Sequence, residues 1–209
     1  MTTPNPATKD RQRGMLRKAR VPLHVWEEEN SITTHGVPGI KDLLPLLGPE
    51  TGVHGVRTVW VQGRTPLGVF NACAASAKAV TLYVPSQTLF VQLRELFNAL
   101  RLFQSGEYMN PESEAYRITR HNGAGKILVI PDIGTANKYP TSDESLLLDL
   151  NQHLRTHLLY GGGLILGSHG LDTLDNLEPL TTEMANQFSR SLTVHETATI
   201  TSKPRRRTV

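Results

Sequence analysis

Gly63-Arg64-Thr65-Pro66-Leu67-Gly68-Val69-Phe70 places two glycines five residues apart, after a short β-branched run and before an alanine-rich stretch. That is the spacing and setting of a phosphate-binding loop, G-x-x-x-x-G-K-[ST], in which backbone N–H groups cradle phosphate, lysine reaches the outer phosphates and a hydroxyl ligates magnesium. Val69 stands where the lysine belongs and Phe70 where the hydroxyl belongs. An anion at this turn would rest on backbone N–H groups and a helix N-terminus alone, so no cofactor is expected beyond weak binding of ATP or ADP. A second chemical position follows the run Ile127 to Ile130, where Pro131-Asp132-Ile133-Gly134 takes the place of a metal-site strand end. Proline cannot ligate magnesium.

Other constellations carry less. His153 and His157 are four residues apart on one predicted helix, a spacing that can chelate zinc. No acid follows His153 in the zincin manner and no third ligand is evident, so they read as surface or groove histidines and no metal is expected. Ser168, His169 and Asp132 lie at predicted strand ends, where α/β sites form. The pattern around Ser168 is not G-x-S-x-G, and neighbouring side chains on a strand point apart, so no triad is assigned.

The elements that position these residues follow from hydrophobic period and punctuation. Val56 to Gln62 reads as a strand stopped by Gly63, Val69 to Lys78 as a helix, and Ala79 to Val84 as a second strand. From Gln87, the residues Leu89, Leu93, Leu96, Leu100 and Phe103 recur at helical spacing and make a core-facing stripe. Residues 104–125 read as a loop with a helical turn at Glu112 to Tyr116. Ile127 to Ile130 reads as a strand buried on both faces. Thr141 and Glu144 make a capping-box pattern before Leu147, Leu150, Leu154 and Leu158, and Gly161 to Gly163 stop that helix. Leu164 to Leu166 starts a fourth strand, a helix runs from Thr181 or Thr182 through Arg190, and Leu192 to His195 is a fifth strand. Strands alternating with helices give an α/β sandwich around a mostly parallel, five-stranded sheet. The single Cys73 reads as a small buried helix residue, and one cysteine excludes an intrachain disulfide.

Charge divides the 209 residues into three parts, although the net value is only +3. Residues 1–23, read as a basic flexible arm, hold Lys9, Arg11, Arg13, Arg17, Lys18 and Arg20 against Asp10. Residues 203–209, a basic tail, hold Lys203, Arg205, Arg206 and Arg207 without an acid. The domain between them, 24–202, carries 12 basic and 18 acidic residues. Basic arms on an acidic body suit contact with nucleic acid or an acidic partner, or are solvated termini. Leu16, Val21, Leu23 and Trp26 among the cations of residues 15–26 either dock on a partner or lie over the sheet edge. No membrane span or signal peptide is visible, so a cytoplasmic protein is expected.

With the motifs of Val56 to Ile200 in view, the sequence resembles the ATPase domain of the helicase-loader AAA+ family, the DnaC-type loaders and their IstB-type relatives. The resemblance implies a three-layer P-loop sandwich without an evident lid domain. In that family the third strand ends in a hydrophobic run and Asp-Asp-Ile-Gly, against Pro131-Asp132-Ile133-Gly134 here. Asp132 then matches the water-positioning acid, Ser168 lies nearest the polar sensor at the end of the fourth strand, and Arg190 matches a phosphate-sensing or partner-facing arginine. With lysine and magnesium ligand both replaced, hydrolysis is expected to be lost.

The expectation is a catalytically inactive adaptor in DNA replication or phage and plasmid biology. Its partners would be a replicative helicase, an AAA+ protein or DNA, met through Arg190, the N-terminal cations and Arg205 to Arg207. The alternatives are an active ATPase whose lysine comes from Lys78, Lys126 or another subunit, and an inhibitory subunit capping a ring of active homologues.

Overall fold

The computed structural model describes residues 6–26, 58–63, 65–83, 87–105, 110–138, 144–169 and 192–197. Helix α1 (Pro6–Lys18) comes first, then β1 (Thr58–Gly63), α2 (Pro66–Tyr83), β2 (Gln87–Phe90), α3 (Leu93–Gln104) and α4 (Glu114–Arg120). Strand β3 (Lys126–Ile130), α5 (Glu144–Leu159), β4 (Gly163–His169) and β5 (Leu192–Thr197) complete the order. Four strands with described side chains lie as β2-β3-β4-β1, and the backbone of β5 pairs beyond β1. Every ladder is parallel, which makes this an α/β fold whose sheet is covered on both faces.

Right-handed crossovers sort the helices. The step from β1 to β2 runs toward one edge of the sheet and puts α2 on one face, while the return through β3 to β4 puts α3, α4 and α5 on the other. Alternate strand residues fill the two resulting cores. Trp60, Leu89, Leu128, Ile130, Leu164 and Leu166 pack with Leu93, Phe97, Ile118, Leu150 and Leu154. Val59, Val61, Phe90, Ile127, Val129 and Ile165 pack with Val69, Cys73, Ala77 and Val80 of α2 and with Leu16 and Val25.

Several elements differ from the sequence reading. Residues 79–83, read as a strand, are the last turns of α2, because Ala77, Val80 and Thr81 continue its buried face. The strand before the amphipathic helix is Gln87–Phe90, so Leu89 belongs to β2 and the stripe of α3 begins at Leu93. Phe103, assigned to the core, is 57% exposed near the end of α3. The helical turn near Glu112 is a longer α4, capped by Ser113, whose hydroxyl accepts from the Tyr116 N–H. Thr141 and the helix ending at Arg190 lie outside the described residues.

The N-terminal stretch read as a structureless arm is helical from Pro6 to Lys18. Arginine, lysine, glutamine, methionine and leucine are good helix formers, but residues 8–15 are exposed on every side, so no apolar period betrays them. The chain after α1 lies over the sheet edge. Phe90 of the edge strand donates its N–H to the Ala19 carbonyl at 2.8 Å, Trp26 Nε1 donates to the Val21 carbonyl, and Lys78 Nζ donates to the carbonyls of Val25 and Trp26.

Arg20 ends α1 in the left-handed region, at φ 59°. Its guanidinium pairs with Glu95 of α3 at 2.8 Å and Glu114 of α4 at 3.0 Å, so it fastens three helices rather than facing a partner. Arg20, expected among the partner-facing cations, is thus engaged within the fold. Arg20→Ala removes both pairs and keeps the backbone strain, for an expected loss of about 1–2 kcal/mol. Arg20→Gly loses the same pairs but relieves about 1 kcal/mol of left-handed strain. Urea denaturation should rank the parent above Arg20→Gly, and Arg20→Gly above Arg20→Ala.

Candidate functional site

The sequence-assigned chemistry gathers at the C-terminal ends of β1, β3 and β4, with Gln62 in register with Ser168 and Gly63 with His169. Helices leave this edge toward opposite faces of the sheet, the arrangement that opens ligand crevices in α/β folds. Thr65, Val69 and Asp132 at this edge serve packing and capping.

Within the segment from Gly63 to Phe70, residues from Pro66 onward are already helical, so those that would cradle a phosphate form the first turn of α2. Thr65 caps that turn itself: its hydroxyl accepts the Gly68 N–H at 3.1 Å and its carbonyl accepts the Val69 N–H at 3.1 Å. Pro66 has no N–H to offer. Threonine at the cap followed by proline at the first helical position is a helix-start signal that sequence reasoning passed over in favour of the glycine spacing. Leu67 is exposed, Arg64 lies outside the described residues, and Val69 is 1% exposed. Phe70 meets the Phe90 ring edge-on at 5.3 Å and stacks near His24.

Val69 closes the crevice against β4. A Cβ added to Gly167 would overlap the Pro131 carbonyl and stand 2.7 Å from Val69 Cγ1, so glycine is what lets α2 and the end of β3 meet over this strand. Gly134 approaches Ser168 in the same way, and any side chain there would overlap the hydroxyl.

Asp132 serves helix α3. Its Oδ1 accepts the Leu93 N–H at 2.8 Å, and its backbone carbonyl starts the 3-10 turn Ile133–Lys138 by accepting from Thr135 N and Oγ1. Burial pushes its carboxyl up from the usual range, the Leu93 N–H pulls it back, and the Glu95 charge adds to the rise. Cys73 lies fully buried in α2, and burial, reinforced by the Asp132 charge, pushes its thiol far up. Ser168 is 1% exposed, with a hydroxyl lacking any hydrogen-bond partner among the described residues. Asp132 and Ser168 thus sit on neighbouring strand ends without a hydrogen bond to each other, and Arg190 and Arg205 to Arg207 lie outside the described residues. Arg11, Arg13, Arg17 and Lys18 lie on exposed positions of α1.

His153 and His157, read as surface or groove residues, are buried. His157 Nε2–H donates to the Gly163 carbonyl at 3.0 Å, and His121, which sequence reading did not single out, donates from Nε2 to the Ile127 carbonyl at 3.1 Å. The two rings stack at 6.3 Å. Burial is the main cause that lowers all three histidines to about 4. Among the described residues no group of three histidine, cysteine, aspartate or glutamate side chains is placed to hold a metal ion, and no helix is long and apolar enough to cross a membrane.

No protein-family model matches the chain, and a search of curated proteins finds no match to it.

Gly167→Ala is expected to cost about 1–3 kcal/mol, the price of overpacking a full core, and thermal unfolding checks it. The histidines set an acid limit. Their ordinary value is 6.5 and their folded value about 4, so the unfolded chain binds the extra protons between these. Stability is therefore held above about pH 6.5 and lost toward pH 4, by up to about 3 kcal/mol for one such histidine. Asp132, raised rather than lowered, works in the opposite direction. Denaturation midpoints measured across that window should fall steadily with acid, and His153→Leu should flatten the slope.

Proposed function

We propose that the chain is a catalytically inactive, helicase-loader-like AAA+ protein that acts as a binding or adaptor factor in DNA replication or mobile-element biology. The observation that carries this reading is the start of α2, where Thr65 takes the N–H groups that would face a phosphate and Val69 fills the crevice against Gly167. Phosphoryl transfer depends on charge neutralisation and positioning by lysine, metal and acid. Valine and proline stand at two of those places, and the acid, Asp132, holds the N-terminus of α3.

The lysines offered as substitutes do not reach the turn. Lys78 is bound to the carbonyls of Val25 and Trp26. Lys126 begins β3, at the end of the parallel sheet opposite Gly63.

A binding role toward DNA draws on α1. Lys9, Arg11 and Arg17 stand on exposed positions of a helix whose only acid is Asp10. Such cations release counterions from phosphates, so affinity should fall steeply with salt. Anisotropy titrations with a labelled oligonucleotide should show that dependence. The triple variant Lys9→Glu/Arg11→Glu/Arg17→Glu should bind at least about tenfold more weakly at low salt, with a shallower salt slope. Oligonucleotide binding unchanged by the triple variant, or magnesium-dependent ATP turnover that disappears in Asp132→Ala, would overturn the reading.

A further inference from the structure

The opposite end of the sheet, where β2 and β3 begin, holds a cavity of about 710 Å³ between α1, α4 and the sheet edge. Lys18, Arg117, Arg120 and Lys126 line it, and no carboxylate does among the described residues. Three of them, Arg117, Arg120 and Lys126, belong to the segment 24–202, in which 18 acidic residues outnumber 12 basic ones, and none of the four has an ion pair among the described residues.

Three of these cations are held in place by uncharged groups. Arg117 Nη2 donates to the Lys18 carbonyl at 3.1 Å and Lys126 Nζ donates to the Arg120 carbonyl at 2.9 Å. The Arg120 guanidinium lies 5.5 Å from the centre of the Tyr116 ring. Each of these partners orients a cation while leaving its charge and its other donors uncommitted. Glu114, the acid of α4 closest in sequence to this arginine pair, is taken by Arg20. Thr88, which is buried and has a hydroxyl without a partner among the described residues, belongs to the same lining. Apolar walls with a few convergent polar groups, in a cavity of this size, are what small-molecule sites look like.

We propose that this cavity binds a multiply phosphorylated small molecule, its phosphates met by Lys18, Arg117, Arg120 and Lys126. The site is separate from the turn after β1 and does not depend on the loader-like reading. Concavity favours a compact anion over a nucleic-acid backbone, which tracks along an open groove.

Calorimetry on the full chain, without magnesium, tests it with inorganic pyrophosphate and with ADP. Saturable binding of at least one is expected, weakened at least about tenfold by Arg120→Glu and by Lys18→Glu. Lys18 is exposed, so its variant keeps the test open if Arg120→Glu fails to fold, and circular dichroism checks both. Leu67→Glu, at the start of α2, should leave binding unchanged. Tighter binding of ADP than of pyrophosphate means that the walls hold an organic body, whereas equal binding means that phosphate alone is read; both support the site. No heat at millimolar concentrations of either, binding undiminished in the folded variants, or an oligonucleotide that pyrophosphate cannot displace from these cations would each overturn the proposal.

Discussion

A sheet with only parallel ladders has no hairpins, so each return from strand to strand must cross a face and cover it. That constraint organises the whole molecule. It demands apolar residues on both sides of β1, β3 and β4, which is why Val59 and Val61 serve one core while Trp60 between them serves the other. It also explains why α2 must sit tightly against the strands it spans. Gly167 gives way to Val69 and to the Pro131 carbonyl at the point where the two chain directions diverge.

The same crevice is where such folds ordinarily receive ligands, and here the starts of α2 and α3 are met by acceptors of the chain itself. The exposed N–H groups at a helix start will take phosphate oxygen, a carboxylate or a hydroxyl, whichever is held in position. Thr65 supplies that acceptor for α2. For α3, Asp132 accepts from Leu93 and Glu95 accepts from the Gln92 N–H, favourable charges at the positive end of a helix. A buried acid at a strand end is in this way a fixture of the scaffold, its burial offset by a hydrogen bond to a helix N-terminus.

Much of the architecture was legible wherever pattern and punctuation agreed. The run before Pro131 is strand β3, Leu164 to Leu166 lies within β4, and α5 runs out at Leu159 just before Gly161. The placement of Asp132 and Ser168 at strand ends was equally visible, although that their strands are neighbours came only from the fold. Patterns with two readings were not. Ala79 to Tyr83 has β-branched content but continues a helix face, Leu89 falls on a helical period by coincidence, and α1 is polar around most of its circumference. Burial of His121, His153 and His157, and the meeting of Lys18 with Arg117, Arg120 and Lys126, arise only from tertiary contacts between segments distant in sequence.

Cys73 gives the fold a practical property. The sole thiol of the chain lies sealed between α2 and the sheet, and its thiolate is disfavoured by both burial and a neighbouring carboxylate. Alkylating reagents attack the thiolate, so the native protein is chemically silent at this position until α2 lifts away. A cysteine placed on the solvent face of α1 can therefore be labelled selectively under native conditions, without first removing the natural one. The natural one in turn reports, by its rate of modification, how often the core opens.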